Sequence, residues 1–145
     1  MEAGAFRCSS CGRVNRVDPS RSAPKCGACH GDLDLSNHPF LISDDGLDTL
    51  VAQSPVPVLV DFYADWCGPC RSLAPVLVEL AKRNAGRLLV AKVDTEEHRR
   101  KTSELGVQGI PALFVFKDGQ LVTQTAGARP LADMQRMLDA FLAET

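Results

Sequence analysis

The chain predicts an α/β fold with a small N-terminal module held by metal. Three observations carry this. A Val-rich apolar run is followed by a helix-period segment and a second apolar run, the pattern of a βαβ unit. Two further apolar runs flank a two-residue turn signal. Four of the six cysteines fall within the first 29 residues, where there is little else to bury. The 145 residues suffice for one domain of ordinary size plus an appendage.

Residues 1–32 offer only Phe6, Val14 and Val17 as candidate core, among Gly, Ser, Pro and Arg. Such a piece needs a staple to fold. Cys8 and Cys11 form one CxxC pair, and Cys26 and Cys29 a second after fourteen intervening residues. Two such knuckles at this separation point to one tetrahedral four-cysteine site holding structural Zn(2+), with iron or a pair of disulfides as alternatives. Gly12 and Gly27 are expected to supply the tight backbone of the knuckles. His30 adjoins Cys29 but is expected on the surface, since four cysteines already fill the site. A short polar stretch, Asp34 to His38, reads as a linker that keeps the module packed nearby.

The pattern then strengthens. An amphipathic helix is expected near residues 44–53, with Leu47, Leu50 and Val51 on one face. Residues 56–63, "VPVLVDFY", read as a strand buried on both faces. Over 69–84, Leu73, Val76, Leu77, Leu80 and Ala81 recur at helical spacing. Residues 88–93 make a second strand, with a right-handed crossover expected. A short charged helix is expected over 96–105. Residues 112–117 and 120–125 flank Asp118-Gly119 as a hairpin. A last helix, about 130–143, would bury Leu131, Met134, Leu138, Phe141 and Leu142.

The third CxxC pair lies in "DWCGPCR", residues 65–71. It falls where the first long strand hands over to the helix. Unpaired N–H groups and the dipole at a helix N-terminus favour a thiolate. Gly68 permits the tight turn, and Pro69 suits an early helical position. Cys70 should lie further in and be less exposed than Cys67. That asymmetry suggests an attacking thiol, Cys67, and a resolving thiol, Cys70. Asp61 interrupts the buried strand, where an ionised carboxylate is costly and its pKa is raised. It could accept the Cys70 proton. Lys92 in the neighbouring strand is a plausible charge partner. Pro111, in "GIPA", stands at a strand entry, where composition alone favours a trans bond.

Together "VDFYADWCGPCRSLAP", "VAKVD", "GVQGIPALFVFKDG" and "TAGARP" closely resemble the thioredoxin family, over roughly residues 39–145. With the N-terminal zinc ribbon, the chain resembles the bacterial thioredoxin 2 class. The resemblance implies a thioredoxin fold: a central mixed β-sheet flanked by helices, residues 39–145, behind a zinc-ribbon module, residues 1–34. It implies a general protein-disulfide reductase with a redox-active Cys67–Cys70 disulfide, Asp61 as buried proton carrier and Lys92 as its partner. Pro111 would be a cis-proline beside the dithiol, and the Ile110 backbone would bond an extended substrate. Pro75 would kink the active-site helix. Trp66, Gly68, Pro69, Gly109 and Gly127 would complete the substrate surface. Tyr63 stands where many members have tryptophan.

The partners implied are protein disulfides and an NADPH-dependent thioredoxin reductase. A net charge of −2 gives no pointer to nucleic acid or an anionic membrane, and no apolar run approaches the roughly 20 residues of a membrane span. The N-terminus lacks a secretory pattern, so a cytoplasmic monomer is expected. Two other readings stay open. An oxidase or isomerase would keep the fold and reverse the direction. A binding or adaptor protein would use the ribbon, with Arg7, Arg13, Arg16, Arg21 and Lys25, as its working part and make the dithiol secondary.

Overall fold

The computed structural model describes residues 4–18 and 20–142. Its elements in chain order are β1 (Gly4–Arg7), β2 (Val14–Val17), β3 (Phe40–Leu41), α1 (Asp44–Gln53), β4 (Val58–Tyr63), α2 (Gly68–Arg83), β5 (Leu89–Asp94), α3 (Arg100–Glu104), β6 (Ala112–Lys117), β7 (Gln120–Ala126) and α4 (Leu131–Asp139). The main sheet has the order β3-β5-β4-β6-β7. β3, β5 and β4 run parallel, while β6 and β7 are antiparallel to their neighbours. This is the mixed sheet of a thioredoxin fold.

Side-chain alternation along the central strands loads both faces. Leu59, Val90, Leu113 and Val115 meet Leu73, Leu77 and Leu80 of α2 and Met134 and Leu138 of α4. Val58, Val60, Phe62, Ala91 and Phe114 meet Leu47 and Leu50 of α1 on the other face. A strand buried on both sides has no polar face, which is why 58–63 reads as an unbroken apolar run apart from Asp61. Ser43 caps α1, its hydroxyl accepting the Gly46 N–H at 3.0 Å. Pro75 sits inside α2.

The structure departs from the sequence expectation in four places. The charged helix is only five residues long, because residues 95–97 form a turn in which the Asp94 carboxylate accepts the Glu96 N–H, and residues 98 and 99 are not helical. The last helix ends at Asp139, with Phe141 and Leu142 packing from the turn that follows; residue 143 lies outside the described residues. The two-residue β3 is too short for a periodic signal. The N-terminal segment also buries more than its composition suggests.

That segment forms the β1–β2 hairpin, paired from Gly4↔Val17 to Arg7↔Val14. Ala5, Phe6 and Val17 are buried. Ala5 N–H donates to Gly86 O at 3.0 Å, so β1 pairs with the turn after α2. Gly86 has φ +85°, and a Cβ there would lie 3.2 Å from Gly4 Cα. Arg7 stacks its guanidinium 4.2 Å from the centre of the Phe40 ring. The linker is pinned too: Asn37 is buried and its amide donates to Ala81 O and Leu88 O at 2.8 and 2.9 Å.

Candidate active site and metal centre

The four outer cysteines converge. Their sulfurs all lie within 4.8 Å of one another. Cys8 and Cys29 sulfurs are 3.7 Å apart, and those of Cys11 and Cys26 are 3.6 Å apart. Four sulfurs at about 2.3 Å from a tetrahedral metal would sit about 3.8 Å apart. The group can therefore hold a metal ion, and its spacing fits a four-thiolate tetrahedron.

The two knuckles share one backbone design. Gly12 N–H donates to Cys8 O and His30 N–H to Cys26 O, each at 2.9 Å. Cys8 N–H donates to Arg13 O and Cys26 N–H to Gly31 O, each at 2.8 Å. Gly12 and His30 occupy equivalent positions, with φ +84° and +62°. The expectation for Gly27 is thus corrected: the residue needing left-handed backbone in the second knuckle is His30, just after the second cysteine. Asn15, which no sequence motif singles out, braces the second knuckle. Its Oδ1 accepts the Gly27 N–H at 2.9 Å, and its Nδ2 lies 3.6 Å from Cys26 Sγ.

The middle pair sits elsewhere, at the start of α2. Cys67 is the N-cap residue, and its Sγ accepts the Cys70 N–H at 3.3 Å. This is where a helix presents unpaired N–H groups to negative charge. Pro69 occupies the first turn, where no donor is lost. The Cys67 thiol also faces Ile110 O at 3.8 Å, and the Ile110–Pro111 peptide is cis. Gly127 N–H donates to Pro111 O at 2.8 Å, tying the end of β7 to that loop. Gly109 and Gly127 face open space. So Gly68, Pro69, Gly109, Ile110, Pro111 and Gly127 gather around one dithiol, with Trp66, 67% exposed, beside it.

The expected difference in exposure between the two thiols is absent: Cys67 is 5% and Cys70 4% exposed. Their surroundings differ instead. Burial, then the hydrogen bond the Cys70 thiol makes to Cys67, pushes the Cys70 thiol up to about 11, and the nearby Asp61 charge adds to this. Asp61 is fully buried, and neither carboxylate oxygen has a hydrogen-bond partner among the described residues. Burial raises its pKa to about 6, against a smaller opposing pull from Lys92. Lys92 is the register partner of Asp61 across the β4–β5 ladder. Its ammonium lies over the Tyr63 ring, 4.6 Å from the centre, so its influence on Asp61 is through space and not through a hydrogen bond.

Comparison with known proteins agrees with this geometry. The thioredoxin family model matches residues 39–140. Thioredoxin C-3 of Corynebacterium nephridii is 35% identical over 139 residues, covering 94% of each chain. The thioredoxin of Acidithiobacillus ferridurans is 42% identical over 108 residues, 74% of this chain and all of that one. Among solved structures, a mutant thioredoxin from Halobacterium salinarum superposes with a TM-score of 0.70 at 32% identity, covering 77% of this chain and 97% of that one. No helix among the described residues is long and apolar enough to cross a membrane. Fold, relatives and a dithiol at the head of α2 lead to one conclusion: the chain belongs to the thioredoxin family and is a thiol-disulfide oxidoreductase, a protein-disulfide reductase.

Proposed function

We propose that the chain reduces protein disulfides through Cys67 and Cys70, with the N-terminal cysteines holding a structural zinc ion. The observation that carries this is the contrast within the pair. Cys67 caps a helix with an N–H aimed at its sulfur, while Cys70 is a high-pKa thiol near a buried, unpartnered carboxylate.

Cys67 thiolate attacks one sulfur of the substrate disulfide. A mixed disulfide forms, and the other substrate sulfur leaves as a thiolate that takes a proton from solvent. Cys70 must then act. With a pKa of about 11, only about one in ten thousand of its thiols is ionised at pH 7, so it needs a base. Asp61, at about 6, is about nine-tenths ionised there and can take that proton. Cys70 sulfur attacks Cys67 Sγ, the Cys67–Cys70 disulfide forms, and the second substrate thiolate leaves. Two electrons pass from the dithiol to the substrate. Lys92 tempers the Asp61 pKa, since its charge favours the ionised form.

The surface beside Trp66 would receive the substrate, with Gly109 and Gly127 leaving space for its backbone and Gly68, Pro69, Ile110 and Pro111 flanking the dithiol. By family likeness, the oxidised protein would be returned to the dithiol by an NADPH-dependent thioredoxin reductase. Cysteines in CxxC pairs of metal-binding and redox type suit a reducing, cytoplasmic setting. Residues 1–34 would form the zinc-ribbon module and 39–145 the thioredoxin domain. Cys8, Cys11, Cys26 and Cys29 would each give the zinc a thiolate, and the ion would supply folding energy, not chemistry at the dithiol.

Insulin reduction by wild type and by Cys67→Ser, with zinc counted on both, tests the division of labour. Expected are an active wild type, an inactive variant and one zinc per chain in each. An active Cys67→Ser protein, or one that has lost its zinc, refutes it.

A further inference from the structure

Trp66 is exposed, yet it is not loose. Its Nε1 donates to Glu96 Oε1 at 2.9 Å, across thirty positions of sequence. The two residues belong to neighbouring loops, one after β4 and one after β5. These loops are stitched at their base. Tyr63 and Asp94 are register partners at the end of the β4–β5 ladder. Thr95 donates to Tyr63 O twice, from its N–H at 2.9 Å and its hydroxyl at 3.1 Å.

The acceptor is itself held. Asp94 Oδ1 accepts the Glu96 N–H at 2.9 Å, which fixes the backbone from which the side chain starts. Glu96 Oε2 faces Arg99 Nη2 at 3.5 Å, and Arg99 Nε reaches back to Glu96 O at 3.5 Å. One carboxylate oxygen thus holds the indole while the other is engaged by a guanidinium.

We propose that Glu96 is the positioning residue that fixes the Trp66 ring on the rim of the dithiol, and so sets affinity for protein disulfides. This rests on the function proposed above. Trp66 immediately precedes Cys67 and is exposed where Cys67 is buried, so a protein substrate that reaches the nucleophile covers the indole. A free ring loses rotamer freedom when it is covered; a ring already fixed has lost it before binding. The interaction is made in the unbound protein and touches no reacting atom. It therefore acts on substrate binding and leaves the chemical step alone.

Trp66 is the single tryptophan of the chain, so intrinsic fluorescence reports on it alone. The experiment compares Glu96→Ala, Glu96→Gln and Trp66→Phe, alone and combined, in insulin reduction and in acrylamide quenching. Expected for Glu96→Ala are faster quenching and a KM raised roughly three- to tenfold, the scale of one hydrogen bond, with little change in kcat. Glu96→Gln keeps an oxygen acceptor and should recover most of the KM. In the Trp66→Phe background, which lacks the donor, Glu96→Ala should change KM no further. If the alanine variant does not fold, Glu96→Met takes its place, keeping the stem and removing the oxygens.

A wild-type KM in Glu96→Ala, an equal defect in Glu96→Gln, or a KM shift that persists with Trp66→Phe overturns the proposal. Cys67→Ser run alongside separates the two readings. If that variant is active, the proposed function fails. If it is dead while Glu96→Ala is indistinguishable from wild type, only the role of Glu96 fails.

Discussion

Replacing Asp61 by Asn should stabilise the reduced protein at neutral pH, and by an amount that depends on pH. Asp61 is fully buried with two unpartnered oxygens. Its pKa rises from 3.8 in the unfolded chain to about 6 in the folded one, chiefly through burial. Folding therefore takes up a proton between those two values. Stability contributed by the neutral acid is full below about pH 4, declines as pH rises through 6, and is gone above that. The gap is worth about 3 kcal/mol. Asparagine is neutral at every pH and nearly the same shape, so the variant escapes the penalty above pH 6 and gains little at pH 4. For a chain of this size, about 3 kcal/mol corresponds to a Tm difference of roughly 6 to 12 °C. Denaturant and thermal unfolding at pH 4, 6 and 8, in a phosphine reductant, measure it. A gain that is the same at pH 4 and pH 8 would refute the reasoning, because a shape effect does not titrate. The stabilised variant should also turn over insulin more slowly, since the resolving thiol has lost its base.

Two further outcomes concern the N-terminal module. His30→Gly should tighten the second knuckle by about 1 kcal/mol, because φ +62° strains a residue with a Cβ and not glycine; zinc loss to a competing chelator should slow, and an unchanged or faster loss would contradict the strain. Gly86→Val should destabilise the chain by about 2 kcal/mol and expose the β1–β2 hairpin to protease, because the new side chain meets both Gly4 and a positive φ; a wild-type melt and digestion pattern would show that the approach of the two backbones is not tight.

The sequence by itself determined the order of the main elements and singled out the candidate chemistry-bearing residues. Periodicity and apolar runs located α1, α2, β4, β5 and β6 to within about two residues, because each is long enough for its buried positions to recur, and the Asp118-Gly119 turn signal located the exposed β7 beside β6. Short elements were harder: the two-residue β3 escaped because alternation cannot show over so few residues, and α3 was expected but drawn too long because five residues make little more than one helical turn. The three CxxC pairs could be told apart by their neighbours alone, since a Trp, a Gly-Pro insert and a preceding apolar strand mark only the middle one. What only the tertiary structure decided are relations across the chain. Asp61 interrupts an apolar run visibly, but its missing partners depend on where Lys92 points. The left-handed His30 follows from matching the backbone bonds of two knuckles, not from any glycine. Phe6 and Val17 look too few to make a core and are buried nonetheless, because the linker and the Gly86 turn bring the hairpin against a sheet that already has one. Glu96 reads as one more charge in a polar loop until the β4–β5 ladder sets it opposite Trp66. Local pattern reports what a residue's neighbours in sequence require of it. Burial, pairing and pKa are set by neighbours in space, and those exist only once the sheet has formed.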